Sequence, residues 1–387
     1  MRILIIHNQY QHTGGEDVVV EQEVKHLSET HEVELYQVKN QKGTKGYFQY
    51  FLYPFNWTET KGVSQVLDRF KPDLVHIHNL HYAIGPGMLR YIKKKHSVPV
   101  VMTLHNFRLL CPSATLFFQG HLFLNSLSED FPWTAVKRKV LEHSFLKTFW
   151  TAATYWLHKK LGTFQQVDRY ILLSAYSSNL FKKSTLALPE DKMRIKPNFV
   201  EWNEQPSSQH TEDFVYAGRL SEEKGILPLL HAWKATNFRI KVFGTGPLLE
   251  EVKEIAKHNP HITFYGHQDR SVVQAHIATC SAVIVPSLCY ETMPLSVLEA
   301  FAQGIPVLAS QIGILAEIIV PLHTGLLFDP HNHPQLIKTL VEWKSLPQEK
   351  LMAIRQNCRK EYLEKYSKHQ VMEQLENIYL ELLSTSK

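Results

Sequence analysis

The sequence predicts an α/β protein made of two doubly wound domains in tandem, on three observations. Short apolar runs alternate with amphipathic stretches along most of the chain, the pattern of a parallel sheet covered by helices. The 387 residues exceed what one compact core usually holds. Residues 201–212, EWNEQPSSQHTE, are polar, contain Pro206 and two serines, and show no apolar period, so they read as a linker.

In the first half, strands are expected at residues 2–7, 33–38, 74–78, 98–104, 170–174 and 193–197, most of them separated by helical pattern. A second, shorter series follows at 214–217, 239–243, 262–265, 282–286 and 306–309. Residues 347–383 carry apolar side chains at helical spacing and no strand pattern, which predicts two helices. The expected divisions are 1–205, 206–365 and a terminal helix over 366–387.

Composition narrows the function classes. With 44% hydrophobic and 20% charged residues the chain reads as globular rather than disordered. Cys111, Cys280, Cys289 and Cys358 lie far apart without metal-ligand spacing and read as free thiols of a reducing compartment. The apolar run at residues 3–6 is too short for a signal-peptide core, and no run of about 18 apolar residues occurs, so a cytoplasmic protein is expected. A formal charge of +5 permits attraction to anionic surfaces without calling for nucleic acid.

In doubly wound sheets ligands bind outside the carboxyl ends of the strands, so two such domains facing each other across a cleft would line it with strand-to-helix turns. The first such turn carries Gly14 and Gly15 before a helix expected to begin near Asp17. Adjacent glycines admit a phosphate to backbone amides at a helix N-terminus, and a tight loop needing positive φ is the alternative. The pattern is not GxGxxG, so a nicotinamide fingerprint is unsupported. In the second half, YAGRLSEEKGI places Gly218 at a strand end with Arg219 and Lys224 in the loop. A guanidinium fork and an ammonium suit a diphosphate, although Glu222 and Glu223 could pair with the same cations at a surface. Gly244 and Gly246 follow the next strand, with Pro247 expected at the first helical position.

The most informative segment is VPSLCYETMPLSVLEAFAQGIPVLAS, with Glu291 in a turn and Glu299 on the next helix. If most of the stretch is helical, their eight-residue spacing corresponds to about 12 Å of rise and about 80° of rotation. Two carboxylates so placed suit opposite ends of one long, hydroxyl-rich ligand better than a glycosidase pair, which lies about 5 to 9.5 Å apart. A solvated Glu299 is the plainer alternative.

Together these pieces resemble the family 4 glycosyltransferases, retaining enzymes of the GT-B fold, over nearly the whole chain. Gly14-Gly15, Gly218-Arg219 to Lys224-Gly225, Gly244 to Pro247, and Glu291 to Glu299 with Ala300, Gly304, Pro306 and Val307 fall in the family's order. The chain also looks like the subgroup that writes GGEDVV early and TLHNFRLLCP later. The resemblance implies an N-terminal acceptor-binding domain, a C-terminal nucleotide-sugar-binding domain, and a last helix that crosses back to the first. It implies that His105 meets the donor sugar, Glu291 its distal hydroxyls and Glu299 the ribose. Arg219 and Lys224 would take the diphosphate, and Gly266, His267 and Gln268 the base. Where many relatives have Gly-Phe this chain has Thr292-Met293, and Pro294 has no N–H, which leaves the amides of Met293, Leu295 and Ser296 to meet a phosphate. Some subgroup members carry a cysteine pair downstream of LLCP, but residues 121–131 have none, so no metal clip is expected.

The resemblance implies a retaining reaction; no Asp-x-Asp occurs, so it is expected to be metal-independent, with no cofactor: Arg219, Lys224 and a helix N-terminus stabilise the departing diphosphate. Its proposed products belong to surface polysaccharide or glycoconjugate biosynthesis. The family's proposal that a phosphate oxygen takes the acceptor proton competes with covalent double displacement. His76, His78 and His81 have spacing that would suit a metal, but no cysteine or well-spaced carboxylate completes a set. Acceptor contact by His78 and Asn79 is the preferred reading, since the subgroup often shows His-Asn here. Residues 42–57 and 136–160 interleave aromatics with lysines and arginines, which suits docking on an anionic membrane that presents a lipid-linked saccharide. A buried helix is the alternative for the second segment, where Val136, Val140, Phe145, Phe149 and Tyr155 are only loosely in phase. A GT-B epimerase or phosphorylase would share the phosphate cradle, and a non-catalytic subunit would bind nucleotide sugar without turnover.

Overall fold

The computed structural model describes every residue except 12, 13, 203, 386 and 387. The chain forms two compact units: Met1–Ala114, Leu124–Pro197 and Val371–Lys387 make the first, and Thr115–Phe123 with Asn198–Gln370 the second.

Strands are numbered along the chain. In the first unit β1 (Arg2–Gln9), β2 (Glu32–Lys39), β3 (Leu74–Asn79) and β4 (Val100–Leu104) precede a small hairpin of the second unit, β5 (Phe117–Phe118) and β6 (His121–Leu122). β7 (Arg169–Leu172) and β8 (Met193–Ile195) complete the first sheet, which is parallel with order β2-β1-β3-β4-β7-β8. The second unit holds β9 (Phe214–Ala217), β10 (Ile240–Phe243), β11 (Ile262–Gly266), β12 (Ala282–Val285), β13 (Val307–Ser310) and β14 (Gly325–Phe328). Its order is β11-β10-β9-β12-β13-β14, again all parallel.

Helices cover both faces of each sheet, so the central strands are apolar throughout rather than alternating. Ile3, Leu4, Ile5 and Ile6 have no exposed area, and neither do Val283, Val307 and Leu308. In both sheets the chain reverses direction of progress beside the first strand, between β1 and β3 and between β9 and β12. Such a switch point leaves adjacent strand-end loops diverging to opposite faces, with a crevice between them.

The strand expectations hold with shifted ends. β7 stops at Leu172 because Ser174 turns to cap the helix Ala175–Lys183, its hydroxyl accepting from the Ser177 N–H at 3.1 Å. Two features lie outside the expectations. β14 opens on Gly325, which reads as a turn, yet a Cβ there would lie 1.7 Å from the Val307 carbonyl oxygen, so close approach of β13 demands it. The hairpin's two-residue strands are too short to show a period.

The tail forms the helices Gln348–Glu361 and Lys368–Thr385, joined through the π-turn Tyr362–Tyr366. The last helix buries Val371, Met372, Leu375, Ile378, Tyr379 and Leu382, a helical stripe packed within the first unit. There Glu381 bridges Arg169 and Arg194, and Tyr379 reaches the sheet.

Candidate functional site

In the second unit the switch point gathers the residues that the sequence marked. β9 and β12 are neighbours, so the loops that leave their carboxyl ends run side by side. A backbone bond ties them, the Leu288 N–H donating to the Glu223 carbonyl at 2.9 Å. Gly225 makes this approach possible: it has φ +68°, and a Cβ would lie 1.9 Å from the Pro286 carbonyl oxygen. Lys224 Nζ then meets Glu291 Oε1 at 2.6 Å, and the same oxygen accepts from Ser287 Oγ at 2.6 Å. Burial opposes the Lys224 charge, but the Glu291 carboxylate outweighs it and holds the ammonium above the ordinary lysine range. Arg219 stands exposed on the same loop, with no ion pair among the described residues.

Gly218 ends β9, and Gly244 and Gly246 follow β10. Cβ atoms at Gly244 and Gly246 would fall 1.9 Å from the Gly218 oxygen and 2.4 Å from the Leu220 oxygen. These two glycines let the β10 loop brace the loop that carries Arg219. Pro247 is not at the first helical position; the helix begins at Leu249.

After β12, residues Glu291, Thr292 and Met293 lead into the helix Leu295–Ala302, whose N-cap is Pro294. The expectation of a mostly helical stretch between the two glutamates is therefore corrected, because Pro294 starts the helix late. No side chain caps it and no acidic residue lies in its first turn, so its leading amides, Leu295 and Ser296 among them, are suited to an anion. Glu299, one helical turn on, pairs with Arg270 at 3.0 Å. Burial raises its carboxyl and Arg270 opposes the rise. His267 is exposed beyond β11. Phe117 of the hairpin packs on Leu288 and Cys289, stiffening the segment that presents Glu291. Arg270, Ser287 and this hairpin escaped the sequence reading, since nothing local marks them.

In the first unit the helix Gly15–Leu27 starts at Gly15, and Gly14 caps it in extended conformation, φ −123°, so no positive φ requires glycine there. A Cβ on Gly14 would meet no described atom nearer than Asp17 Oδ2 at 4.0 Å. Asp17 accepts the Gly14 N–H at 2.7 Å and pairs with His7 Nε2 at 2.8 Å. Burial, assisted by Asp17, pushes Glu16 up to about 8. Asn106 holds Glu16 at 3.4 Å and the Tyr10 hydroxyl at 3.3 Å, a polar group at the carboxyl ends of β1 and β4.

β3 is buried throughout, and its alternation puts His76 and His78 on one face, against Thr103 and His105 of β4 and the residue after it. The His78 side chain has no exposed area and lies between Glu23 and His105. Asn79 is likewise occupied, donating to the Asn8 carbonyl at 3.1 Å and accepting the His81 N–H at 2.8 Å. His78 and Asn79 line an open depression together with His105, Asn106, Arg108 and Tyr155. Ligand atoms of Glu23, His76 and His78 come within 4.8 Å of one another. Yet Lys196 occupies Glu23 at 2.5 Å, and His76 bonds Thr103 at 2.8 Å and Tyr379 at 2.6 Å through its two nitrogens. The trio as arranged offers no coordination set. His81 turns away to Tyr53 at 2.8 Å.

The helix Phe145–Lys160 buries Thr148, Thr151, Ala152, Thr154 and His158, packs Tyr155 against Tyr53 and Phe164, and leaves Phe145 exposed. Val136 and Val140 are core. Trp150 stacks on Phe51 of the helix Gly43–Leu52, which joins the two aromatic segments into one face. On it Tyr47, Phe48, Phe51 and Leu146 are 70%, 63%, 68% and 76% exposed, and Lys42, Lys45 and Lys137 to Lys139 include five exposed positions with Arg138.

Comparison with known proteins follows the same division. The family model "Glycosyltransferase Family 4" matches residues 13–203 and "Glycosyl transferases group 1" matches residues 200–361. A glycosyltransferase of Methanocaldococcus jannaschii is 28% identical over 170 residues, 43% of this chain and 48% of that protein. The chain thus spans about half the length of the curated relatives it matches first. Among solved structures, sucrose-phosphate synthase from Thermosynechococcus elongatus has a TM-score of 0.74 at 16% identity, covering 99% of each chain. Anabaena HepE, solved with UDP-glucose, has a TM-score of 0.69 at 15% identity, covering 98% of this chain and 100% of that one. The two parallel α/β units have the GT-B fold, and the chain belongs to the group 1, family 4 glycosyltransferases.

Proposed function

We propose that the chain transfers a hexose-type sugar from a nucleotide diphosphate sugar to a saccharide acceptor, with retention and without a metal. The observation that carries this reading is the second unit's switch point, where Lys224 meets the Glu291 carboxylate, Arg219 stands exposed on the loop of Lys224, and an uncapped helix N-terminus follows Glu291 in the chain. Cations and amides balance a departing diphosphate, while carboxylates bind sugar and ribose hydroxyls, Glu291 and Glu299 in that order. His105 contacts the transferred sugar, and Gly14 and Gly15 leave backbone room for the donor. The base lies by His267. Anabaena HepE was solved with UDP-glucose, so UDP-sugars are the first donors to test. Release of free nucleotide only when acceptor is added separates transfer from epimerisation, phosphorolysis and binding without turnover.

Metal independence is supported by Arg219 and Lys224 on one loop and by a sequence without Asp-x-Asp. Turnover is expected to persist in excess EDTA. Abolition by chelator with rescue by manganese or magnesium would overturn it.

The acceptor we favour is lipid-linked, a step of surface polysaccharide or glycoconjugate biosynthesis on the cytoplasmic leaflet. Support comes from the exposed Tyr47, Phe48 and Phe51 and from the first turn of the helix Phe145–Lys160, which presents Phe145 and Leu146 to solvent. No helix among the described residues is long and apolar enough to cross a membrane, so attachment would be by this aromatic and basic face. Attraction of about 1 kcal/mol per basic residue gives reversible, salt-sensitive binding. Sedimentation with anionic vesicles should pull the protein down at low salt and release it at high salt. Equal binding to neutral vesicles, or none at low salt, would leave a soluble acceptor.

A further inference from the structure

After β4 the chain turns back through residues 105–114, a loop fixed from within. Phe107 is buried, its N–H donates to the Ala114 carbonyl at 2.9 Å, and its carbonyl accepts the Cys111 N–H at 2.9 Å. Asn106 Oδ1 accepts the Arg108 N–H, also at 2.9 Å. The turn so held sets Arg108 in a wall common to two open depressions of the first unit. One contains His105 and the other Trp156, and Arg108, Leu109 and Tyr155 line both.

The fold uses one side of this guanidinium. Nη1 donates to the Pro112 carbonyl. Nε and Nη2 form the edge that can meet two oxygens of a carboxylate or phosphate side by side, and they donate to no described residue, Nε being buried. A buried donor without an acceptor is unfavourable and calls for a partner from outside the chain. The charge is unanswered as well, for Arg108 makes no ion pair among the described residues. Glu16 is near enough to feel it, but burial, and then Asp17, push that carboxyl up to about 8, so it is mostly protonated at neutral pH. The acids of the Trp156 depression are committed elsewhere. Asp130 pairs with Lys159 at 3.0 Å and Lys160 at 2.9 Å, and Glu129 accepts the Thr134 N–H at 3.1 Å.

We infer that Arg108 holds an oxyanion of the saccharide acceptor, a phosphate or a sugar carboxylate, so that the chain takes acidic acceptors in preference to neutral ones. The inference rests on the reading of the chain as a transferase whose first unit binds the acceptor. Either oxyanion can accept from Nε and Nη2 together, whereas a neutral sugar offers single hydroxyl oxygens and leaves the charge uncompensated. An acceptor anchored there would lay its next ring beside His105 or beside Trp156.

Nitrogen NMR of protein labelled with ¹⁵N-arginine reads the Arg108 Nε–H, assigned by its loss in Arg108→Lys. Three probes are titrated without nucleotide: α-D-glucose 1-phosphate, methyl β-D-glucuronide and the neutral methyl β-D-glucoside. The signal should move with at least one acidic probe and not with the glucoside. Movement with the phosphate alone, the carboxylate alone or both names the oxyanion that is held. In Arg108→Gln the affinity for that probe should fall about 10-fold or more, the size of a charge-assisted hydrogen bond. Arg108→Lys, which keeps a charge but loses the fork, should fall between. Leu109 lines both depressions, so its ¹³C-methyl signals report these affinities where the Arg108 signal is gone. No movement with either acidic probe, equal movement with the glucoside, or unchanged affinity in both folded variants would overturn the proposal. Equal losses in the two variants would assign the effect to the Pro112 bond rather than the charge, and would also overturn it. None of these readouts needs turnover. If UDP-sugars give no acceptor-dependent nucleotide release, the transferase reading fails while the anion site stays measurable.

Discussion

Glu291→Gln and Arg219→Ala should each lower turnover about 100-fold or more, the loss seen when one transition-state partner is removed. Glu291 accepts from both Lys224 and Ser287 at 2.6 Å. Glutamine preserves the shape but removes the charge that holds the Lys224 ammonium in place. Arg219 is exposed and makes no ion pair among the described residues, so its loss should shift stability by no more than about 0.5 kcal/mol. Steady-state kinetics with the donor and acceptor, together with thermal unfolding of each variant, tests both halves of the expectation. Near-normal activity in either variant would mean that the switch point of the second unit is not where the diphosphate and sugar are held.

Lys196→Met alone should destabilise the protein by about 3–5 kcal/mol, because it leaves the Glu23 carboxylate buried without its ammonium. Adding Glu23→Leu should recover most of the loss, since the uncompensated charge then goes too. Urea unfolding of the wild type, the single variant and the double variant measures this coupling. Additive losses would show that the pair contributes only packing. The same pair predicts an acid limit. Burial by itself would raise Glu23, but the Lys196 charge prevails and the carboxyl lies below its ordinary value of 4.5. A group depressed on folding stabilises fully above its unfolded value, so this contribution should be intact at neutral pH and fade as pH falls below 4.5 toward the folded value.

Most strands were legible because helices cover both sheet faces, and burial on both sides forces apolar runs such as Ile3 to Ile6 and Ala282 to Val285. β14 was not, since the Gly325 that reads as a turn is required by the passing β13 backbone. Lys224, Glu291 and Glu299 could be singled out because charged residues beside glycine and proline in strand-to-helix turns are conspicuous in sequence. That Lys224 and Glu291 touch was not legible. Their 67-residue separation closes only because β9 and β12 are neighbours at the point where the strand order reverses.

For the same reason the enclosure of His78 was not legible. Sequence shows a histidine at a strand end, but only the helix Gly15–Leu27 laid across β3 brings Glu23 over it and shuts it from solvent. The aromatic segments, the second only loosely in helical phase, did not say which side faces inward. That was decided by Tyr50, whose hydroxyl bonds Thr151 at 2.6 Å and draws the threonine side of its partner helix into the fold. By itself, then, the sequence determined the fold class, the family and the turns in which chemistry-bearing residues stand, because these depend on local pattern. Pairings between distant residues, the closure of His78 and the exposure of Phe51 and Leu146 depend on which strands and helices become neighbours, a choice made by packing over the whole unit.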